Sequence, residues 1–127
     1  MATDLHELAR NLGRHWSRDT SADSARWSPE NPSLGQCAVT ALVVQDHFGG
    51  ELLRARVDGI SHYWNRLPSG AEVDLTRQQF GPDVQVPAGE PRPRSFVLSF
   101  PETVDRYLLL RHALGLSAEV KVTPSAR

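Results

Sequence analysis

The dipeptide Asp58-Gly59 is the feature that most constrains the fold of this chain. It separates the segments Glu51 to Val57 and Ile60 to Leu67, which have the apolar and aromatic character of strands. Asp-Gly between two such segments predicts a hairpin with a two-residue turn. Because the turn fixes the register, His62 is predicted to lie in the middle of the apolar face of the hairpin.

A single cysteine, Cys37, lies where a polar loop becomes a buried helix, predicted over Gln36 to Phe48. A thiolate is favoured at a helix N-terminus by the helix dipole and by free backbone N–H groups. One cysteine cannot form an internal disulfide, so the thiol is expected to be free and the protein cytoplasmic. The alternative for Cys37 is a small core residue, which is common for free cysteines.

A carboxylate, Asp74, follows on the next predicted strand, Ala71 to Thr76. A three-residue turn that pairs Arg66 with Gly70 would place Asp74 directly across from His62. Cross-strand neighbours have Cβ atoms roughly 4.5–5.5 Å apart, which allows a carboxylate to reach an imidazole. A half-buried histidine beside a half-buried aspartate costs stability unless the two are paired.

The remaining pattern predicts helices at both ends of a single domain over residues 1–127. The helices are expected at Thr3 to Trp16, where Thr3 or Asp4 can cap the first turn, and at Pro101 to Leu114. Ser95 to Phe100 is a candidate strand. The face of the sheet opposite His62 is expected either to be covered, for instance by a terminal helix, or to change parity at a bulge. The predicted fold class is α+β, with a central helix carrying Cys37 packed on a small antiparallel sheet.

Cysteine, histidine and aspartate in this order can supply the three parts of thiol catalysis. Cys37 would be the nucleophile, His62 the base and Asp74 the group that orients the base. The predicted function is acyl transfer or hydrolysis of an amide, ester or thioester through a thioester on Cys37. The alternative is a binding or interaction module that keeps the fold without catalysis.

Three further side chains are candidates for oxyanion or substrate binding. Gln36 precedes the nucleophile, and its side chain or the backbone N–H of Cys37 could bind a developing oxyanion. Trp27 lies in a long polar loop, and Trp64 lies beside His62 on the predicted strand. Aromatic residues are more often core than pocket, so Trp27 is the stronger candidate of the two.

Composition and spacing argue against several other classes of function. The net charge of -1 gives no basic surplus for nucleic acid, and no apolar run is long enough to span a membrane. Cys37, His62, Asp74 and His47 could in principle bind a metal, but they lack the close-spaced pairs of zinc sites. No glycine-rich phosphate loop follows a strand, so no cofactor is expected. The expected partner is a small-molecule or peptide substrate, and a homo-oligomer stays open.

Short motifs in the chain resemble the transglutaminase-like core pattern of G-x-C, H-x-W and D-x-T. The matching residues are Gly35-Gln36-Cys37, His62-Tyr63-Trp64 and Asp74-Leu75-Thr76. This resemblance implies a papain-like α+β fold, with Cys37 as nucleophile, His62 as base and Asp74 as orienting group. The chain is short for that superfamily, which implies that substrate-binding extensions are missing or minimal.

A closer resemblance is to the YunG-like family of small bacterial proteins, over about residues 14 to 81. The residues that carry it are Trp27-Ser28-Pro29, Asn31-Pro32, Gly35-Gln36-Cys37, Gln45-Asp46 and Asp74-Leu75-Thr76-Arg77-Gln78-Gln79-Phe80. This resemblance assigns no substrate.

Overall fold

The computed structural model describes residues 4–116, which form an α+β fold. Four antiparallel strands make one sheet in the order β3-β2-β1-β4. The helices are α1 (Leu5–His15), α2 (Cys37–Phe48), α3 (Arg94–Val97) and α4 (Pro101–Ala113), and the strands are β1 (Glu51–Val57), β2 (Ile60–Arg66), β3 (Glu72–Val73) and β4 (Glu90–Arg92). No helix within residues 4–116 is both long enough and apolar enough to cross a membrane.

The predicted hairpin is confirmed residue by residue. Val57 pairs with Ile60, and Ala55 pairs with His62. Asp58 and Gly59 have φ angles of 52° and 80°. Positive φ at both central residues defines the turn whose twist matches that of the flanking strands, which is why the short Asp-Gly signal fixed the register.

The three longer helices lie close to their predicted positions. α1 begins after Asp4, whose Oδ1 accepts a hydrogen bond of 2.7 Å from the backbone N–H of Glu7. Thr3, the first residue of the predicted helix, lies outside the described residues. α2 begins at Cys37 and ends at Gly49, which has a φ of 75°. α4 begins at Pro101, because proline fits the first turn of a helix, where its missing N–H is not needed.

Helix α2 lies in the centre of the main core. It packs on the face of the sheet that carries Leu52 and Tyr63, and α4 covers its other side. The Asn65 side chain donates a hydrogen bond of 3.0 Å to the carbonyl oxygen of Ala41 and ties the sheet to this helix. The face of the sheet opposite His62 is therefore covered. This was the first of the two alternatives that the sequence left open, the other being a bulge.

The other face of the sheet is covered by the chain between β3 and β4. Leu53, Ala55 and Trp64 form a small second cluster, against which Val86 packs. Gly89 lies so close to this cluster that a Cβ atom on it would be 2.6 Å from the Trp64 ring. Both faces of the sheet are thus buried, which explains how a domain of this size excludes water from an imidazole in the sheet.

The predicted register of β3 is wrong by two residues. Arg66 pairs with Glu72 rather than with Gly70, because the turn is longer than the three residues assumed. A shift of two residues keeps every side chain on its predicted face, since side chains alternate with a period of two. Asp74 follows the end of β3 and reaches His62 diagonally instead of from directly across.

The predicted strand at Ser95 to Phe100 is also wrong. The edge strand is β4, where Pro91 lies opposite Leu53 of β1, and a helical turn, α3, begins at Arg94. Proline cannot donate to a sheet ladder but is accepted in an edge strand, so the prolines did not exclude a strand here.

Candidate active site

Cys37 lies at the first turn of α2, beside the edge of β2. Its Sγ is 3.8 Å from the carbonyl oxygen of Ser61, and its side chain is half-buried. β3 pairs only with Asn65 and Arg66, so residues 60–63 of β2 have no neighbouring strand on that side within the described chain. The N-terminus of α2 fills this gap and brings the sulfur to the backbone of the strand that carries His62.

The loop that delivers Cys37 is fixed by Gly35. Gly35 has a φ of 75°, and a Cβ atom there would lie 2.8 Å from the backbone nitrogen of Asp23. Its carbonyl accepts a hydrogen bond from Ala22 N, and its N–H donates to Gln79 Oε1 at 3.2 Å. Only glycine combines this conformation with such close approach, so the position of Cys37 depends on this residue.

His62 and Asp74 are joined by a short hydrogen bond. Nε2 of His62 lies 2.6 Å from Oδ2 of Asp74, and His62 is only 1% exposed. The other carboxylate oxygen of Asp74 accepts hydrogen bonds from the backbone N–H and the hydroxyl of Thr76, at 3.2 and 3.3 Å. The hydrogen bonds from Thr76 thus hold the Asp74 carboxylate in place, and the carboxylate holds the imidazole.

Two aromatic rings enclose the imidazole of His62. The Trp64 ring stacks on it with centroids 5.4 Å apart, and the Phe80 ring meets it edge to face at 4.9 Å. Indole stacking is favourable for a cationic imidazole, and the two rings also keep water away from the bond to Asp74. The ring of His62 is therefore fixed in one orientation.

The second nitrogen of His62, Nδ1, is buried and has no hydrogen-bond partner within residues 4–116. Burial by itself lowers the pKa of His62, but the hydrogen bond to Asp74 and the proximity of Cys37 outweigh burial and raise this pKa to about 9. No hydrogen bond of ordinary geometry joins Nδ1 to Sγ. Nδ1 is nevertheless the imidazole atom that remains available to exchange a proton with a group at Cys37.

A cleft of about 940 Å³ opens onto both Cys37 and His62. Its walls come from the loop before α2, the β1–β2 hairpin, the segment after β3 and the region of α3 and α4. The sulfur is therefore accessible to a ligand rather than sealed in the core. A volume of this size is sufficient for a small molecule or a short peptide segment.

The side chain of Gln36 does not reach this cleft. It is fully buried, with Nε2 donating to the carbonyl of Ser17 at 2.9 Å and Oε1 accepting from the Thr20 hydroxyl at 2.8 Å. Both ends of the amide are occupied in linking α2 to the segment after α1. Of the two oxyanion donors expected from sequence, only the backbone N–H of Cys37 is placed for the role, since first-turn N–H groups have no partner inside a helix.

The tryptophans expected at a substrate pocket lie outside the cleft as well. Trp27 donates from Nε1 to the carbonyl of Pro32 at 2.8 Å, and this bond closes its own loop. Trp64 lies behind His62 and donates from Nε1 to Glu72 at 2.9 Å. Trp64 therefore supports the imidazole and does not face a ligand.

Several residues at the site were not predicted as site residues from the sequence. Phe80 covers His62, and Gln79 links the segment after β3 to Gly35. Arg54 of β1 and Arg106 of α4 also line the cleft. The only sequence signal for Gln79 and Phe80 was their place in the motif that begins at Asp74, and nothing in the sequence marked the two arginines.

Metal binding finds no support in the arrangement of side chains. Within residues 4–116, no three histidine, cysteine, aspartate or glutamate side chains are grouped in a way that could hold a metal ion. The site is instead defined by a thiol, a buried imidazole and a carboxylate in a small α+β domain.

The chain belongs to the YunG family, because the model of the family described as YunG protein matches residues 4–118. A relative from Bacillus subtilis (strain 168), "Uncharacterized protein YunG", is 48% identical over 69 residues. The match covers 54% of this chain and 56% of that relative, so the chain spans about half of the relative's length. No solved structure gives a significant match.

Proposed function

We propose that this protein is a small cysteine-dependent enzyme that acts on an amide, ester or thioester through a thioester on Cys37. The observation that carries the proposal is the 2.6 Å bond between His62 and Asp74, which leaves the second imidazole nitrogen unpartnered on a residue that lines the same cleft as Cys37. The order of Cys37, His62 and Asp74 supports a papain-like or transglutaminase-like arrangement as part of the same proposal.

The first half of the reaction is acylation of the thiolate. Sγ of Cys37 attacks the substrate carbonyl carbon, and a C–S bond forms while the carbonyl oxygen becomes an oxyanion near the backbone N–H of Cys37. When the carbonyl re-forms, the bond to the leaving amine, alcohol or thiol breaks. The imidazolium of His62 gives its Nδ1 proton to that leaving group.

The second half returns the enzyme to its starting state. Water or an amine attacks the thioester carbon, and neutral His62 accepts the proton of the incoming nucleophile. The C–S bond breaks, the acyl group leaves on the new acceptor, and the thiolate is regenerated beside the imidazolium. Water gives hydrolysis and an amine gives acyl transfer, so the acceptor decides the class of reaction.

Asp74 and the two aromatic rings have a supporting role in this scheme. They keep the imidazole in one orientation. Burial lowers the pKa of His62, but Asp74 and the nearby Cys37 outweigh it and raise the pKa to about 9, so His62 is protonated at neutral pH. A positive charge beside the sulfur stabilises negative charge on it. In the proposed scheme the proton is thus already on the group that must later donate it.

Alkylation kinetics test whether the imidazole activates the sulfur. We expect iodoacetamide to modify Cys37 about tenfold more slowly at pH 7 in His62→Gln than in the wild-type protein, because the variant loses the charge beside the sulfur. The rate is measured by intact-protein mass spectrometry, and Cys37 is the only cysteine in the chain.

His47→Gln is the matched control for this experiment. His47 lies on the same helix as Cys37 but far along it, with Nδ1 3.1 Å from the carbonyl of Val43. This variant should alkylate at the wild-type rate. Equal rates in the wild-type protein and in His62→Gln would contradict the proposal and favour the non-catalytic binding module.

A further inference from the structure

Two arginines in the cleft lack the carboxylate partners that other arginines of the fold have. Arg66 pairs with Glu51 at 2.6 Å, and Arg26 pairs with Asp23 at 2.7 Å. Within residues 4–116, Arg54 and Arg106 are in no salt bridge. Half-buried cations that no carboxylate contacts directly are costly to keep in a fold, so two of them on the wall of a cleft favour a ligand with negative charge.

Arg54 is positioned by the residue that also touches the sulfur. Its Nε and Nη2 donate to the Ser61 hydroxyl at 3.0 and 2.7 Å, while the carbonyl of Ser61 faces Sγ of Cys37. Ser61 therefore links the guanidinium to the strand segment beside Cys37, and both residues line the cleft. Burial raises the pKa of Tyr63, while Arg54, which also interacts with the Tyr63 hydroxyl, acts to lower this pKa. These contacts use only part of the five N–H groups of a guanidinium.

Arg106 approaches the same space from α4. Its Nη2 makes one long hydrogen bond of 3.3 Å to Thr103, and its Nε is buried without a partner. Burial lowers the pKa of Arg106, while Glu102 and the nearby Cys37 act in the opposite direction. Arg106 is thus a partly desolvated cation within electrostatic range of the sulfur.

We propose that the substrate carries a carboxylate that is bound by Arg54 and Arg106 next to Cys37. This inference rests on the proposed function, because it names the substrate class of the same site. A planar guanidinium can donate two parallel hydrogen bonds to one carboxylate. Two guanidinium groups at one cleft would therefore both attract a carboxylate and fix its orientation.

The rest of the substrate is expected to be apolar. Ile60, Phe96 and Phe100 line the same cleft and are 58%, 39% and 47% exposed. The rings of Phe96 and Phe100 meet edge to face with centroids 5.6 Å apart and form a rigid apolar wall. A substrate with a carboxylate and an apolar body would use both the arginines and this wall.

The test compares two alkylating reagents of nearly equal size, iodoacetate and iodoacetamide, which differ by one negative charge. We expect the ratio of their rates at Cys37 to fall by about tenfold in Arg54→Gln and in Arg106→Gln relative to the wild-type protein. The same chain unfolded in urea gives the ratio for this thiol without a cleft. Melting curves of both variants establish that they are folded.

Arg56→Gln is the matched control, because it removes the same charge from the same strand. Arg56 is exposed and donates to the carbonyl of Gly59 at 2.6 Å, outside the cleft. This variant should keep the wild-type ratio, whereas a fall equal to that in Arg54→Gln would show that only net charge matters and would overturn the inference.

The outcomes separate this inference from the proposed function. If the ratio falls in the arginine variants while His62→Gln alkylates normally with iodoacetamide, the carboxylate site stands and the enzyme proposal fails. If the ratio is unchanged in both arginine variants, the inference is overturned, and the effect of His62→Gln still decides the enzyme proposal.

Discussion

Replacing Asp46 by alanine is expected to lower the free energy of unfolding by about 3–5 kcal/mol. The carboxylate is 7% exposed and binds Arg94 at 2.8 Å and Arg111 at 2.9 Å. It also accepts a hydrogen bond from the Tyr107 hydroxyl. Removing it leaves two buried guanidinium groups and a buried hydroxyl without the acceptor that holds them together.

The size of this effect follows from the elements that Asp46 and its three partners connect. Asp46 lies near the end of α2, Arg94 begins α3, and Tyr107 and Arg111 belong to α4. Burial, and then Asp46, raise the pKa of Tyr107 to about 12, which shows how strongly this site resists a second negative charge. The carboxylate of Asp46 thus ties the helix that carries Cys37 to both α3 and α4, and Arg94 adds a hydrogen bond of 2.9 Å to Gln45.

Asp23→Ala is the control for Asp46→Ala, because it is the same substitution at an exposed ion pair. Arg26, its partner, has a side chain that is 70% exposed, so the cost should be about 0–1 kcal/mol. Urea unfolding followed by tryptophan fluorescence measures both variants. Similar midpoints for the two would show that the cluster contributes no more than a surface pair.

Asp74→Asn is expected to lower the pKa of His62 below its wild-type value of about 9 and to destabilise the protein by about 1–3 kcal/mol at pH 6. Asparagine keeps an acceptor for Thr76 and nearly the same volume, but it removes the negative charge beside the imidazole. An NMR titration of His62 measures the pKa, and urea unfolding measures the stability.

The pH dependence of this loss has a definite sign. The pKa of His62 is raised from 6.5 to about 9 on folding, so its protonated form stabilises the fold fully below pH 6.5. That contribution disappears as the pH rises through 9. The difference in stability between the wild-type protein and Asp74→Asn should therefore be largest at pH 6 and should shrink by pH 10.

Glu72→Gln is the control for Asp74→Asn, because it removes a carboxylate two residues away on the same face. Glu72 accepts a hydrogen bond from Trp64 and does not touch His62. This variant should leave the pKa of His62 near 9. A His62 that titrates near 6.5 in the wild-type protein would show that the bond to Asp74 does not hold the imidazole in its charged form.

Local signals explain how much of the fold could be predicted. The Asp58-Gly59 turn fixed the hairpin because both residues accept positive φ, and the pairing of Ala55 with His62 follows by counting. The C-terminal end of α2 could be predicted from Gly49, and the start of α4 from Pro101, because these residues too act locally. Asp74 was predicted on the correct face although its register was wrong, because an error of two residues preserves the parity of a strand.

The parts that could not be predicted depend on distant contacts. The side chain of Gln36 was an oxyanion candidate by position, but Ser17 and Thr20 bind both ends of its amide once α1 and α2 pack. β4 was missed because, within the described residues, it pairs with β1 alone, which is far away in sequence. Arg54 comes to the cleft only when β1 pairs with β2, and Arg106 only when α4 packs against α2.

The most direct measurement is the capture of an acyl group on Cys37 from an activated ester, p-nitrophenyl acetate, followed by intact-protein mass spectrometry. We expect one acetyl group on the wild-type protein, released by neutral hydroxylamine, no adduct on Cys37→Ala, and much slower acylation in His62→Gln. Since His62 must be protonated, the rate should fall above about pH 9. Acylation of the folded wild-type protein that is no faster than that of the same chain in urea would contradict a catalytic role for Cys37.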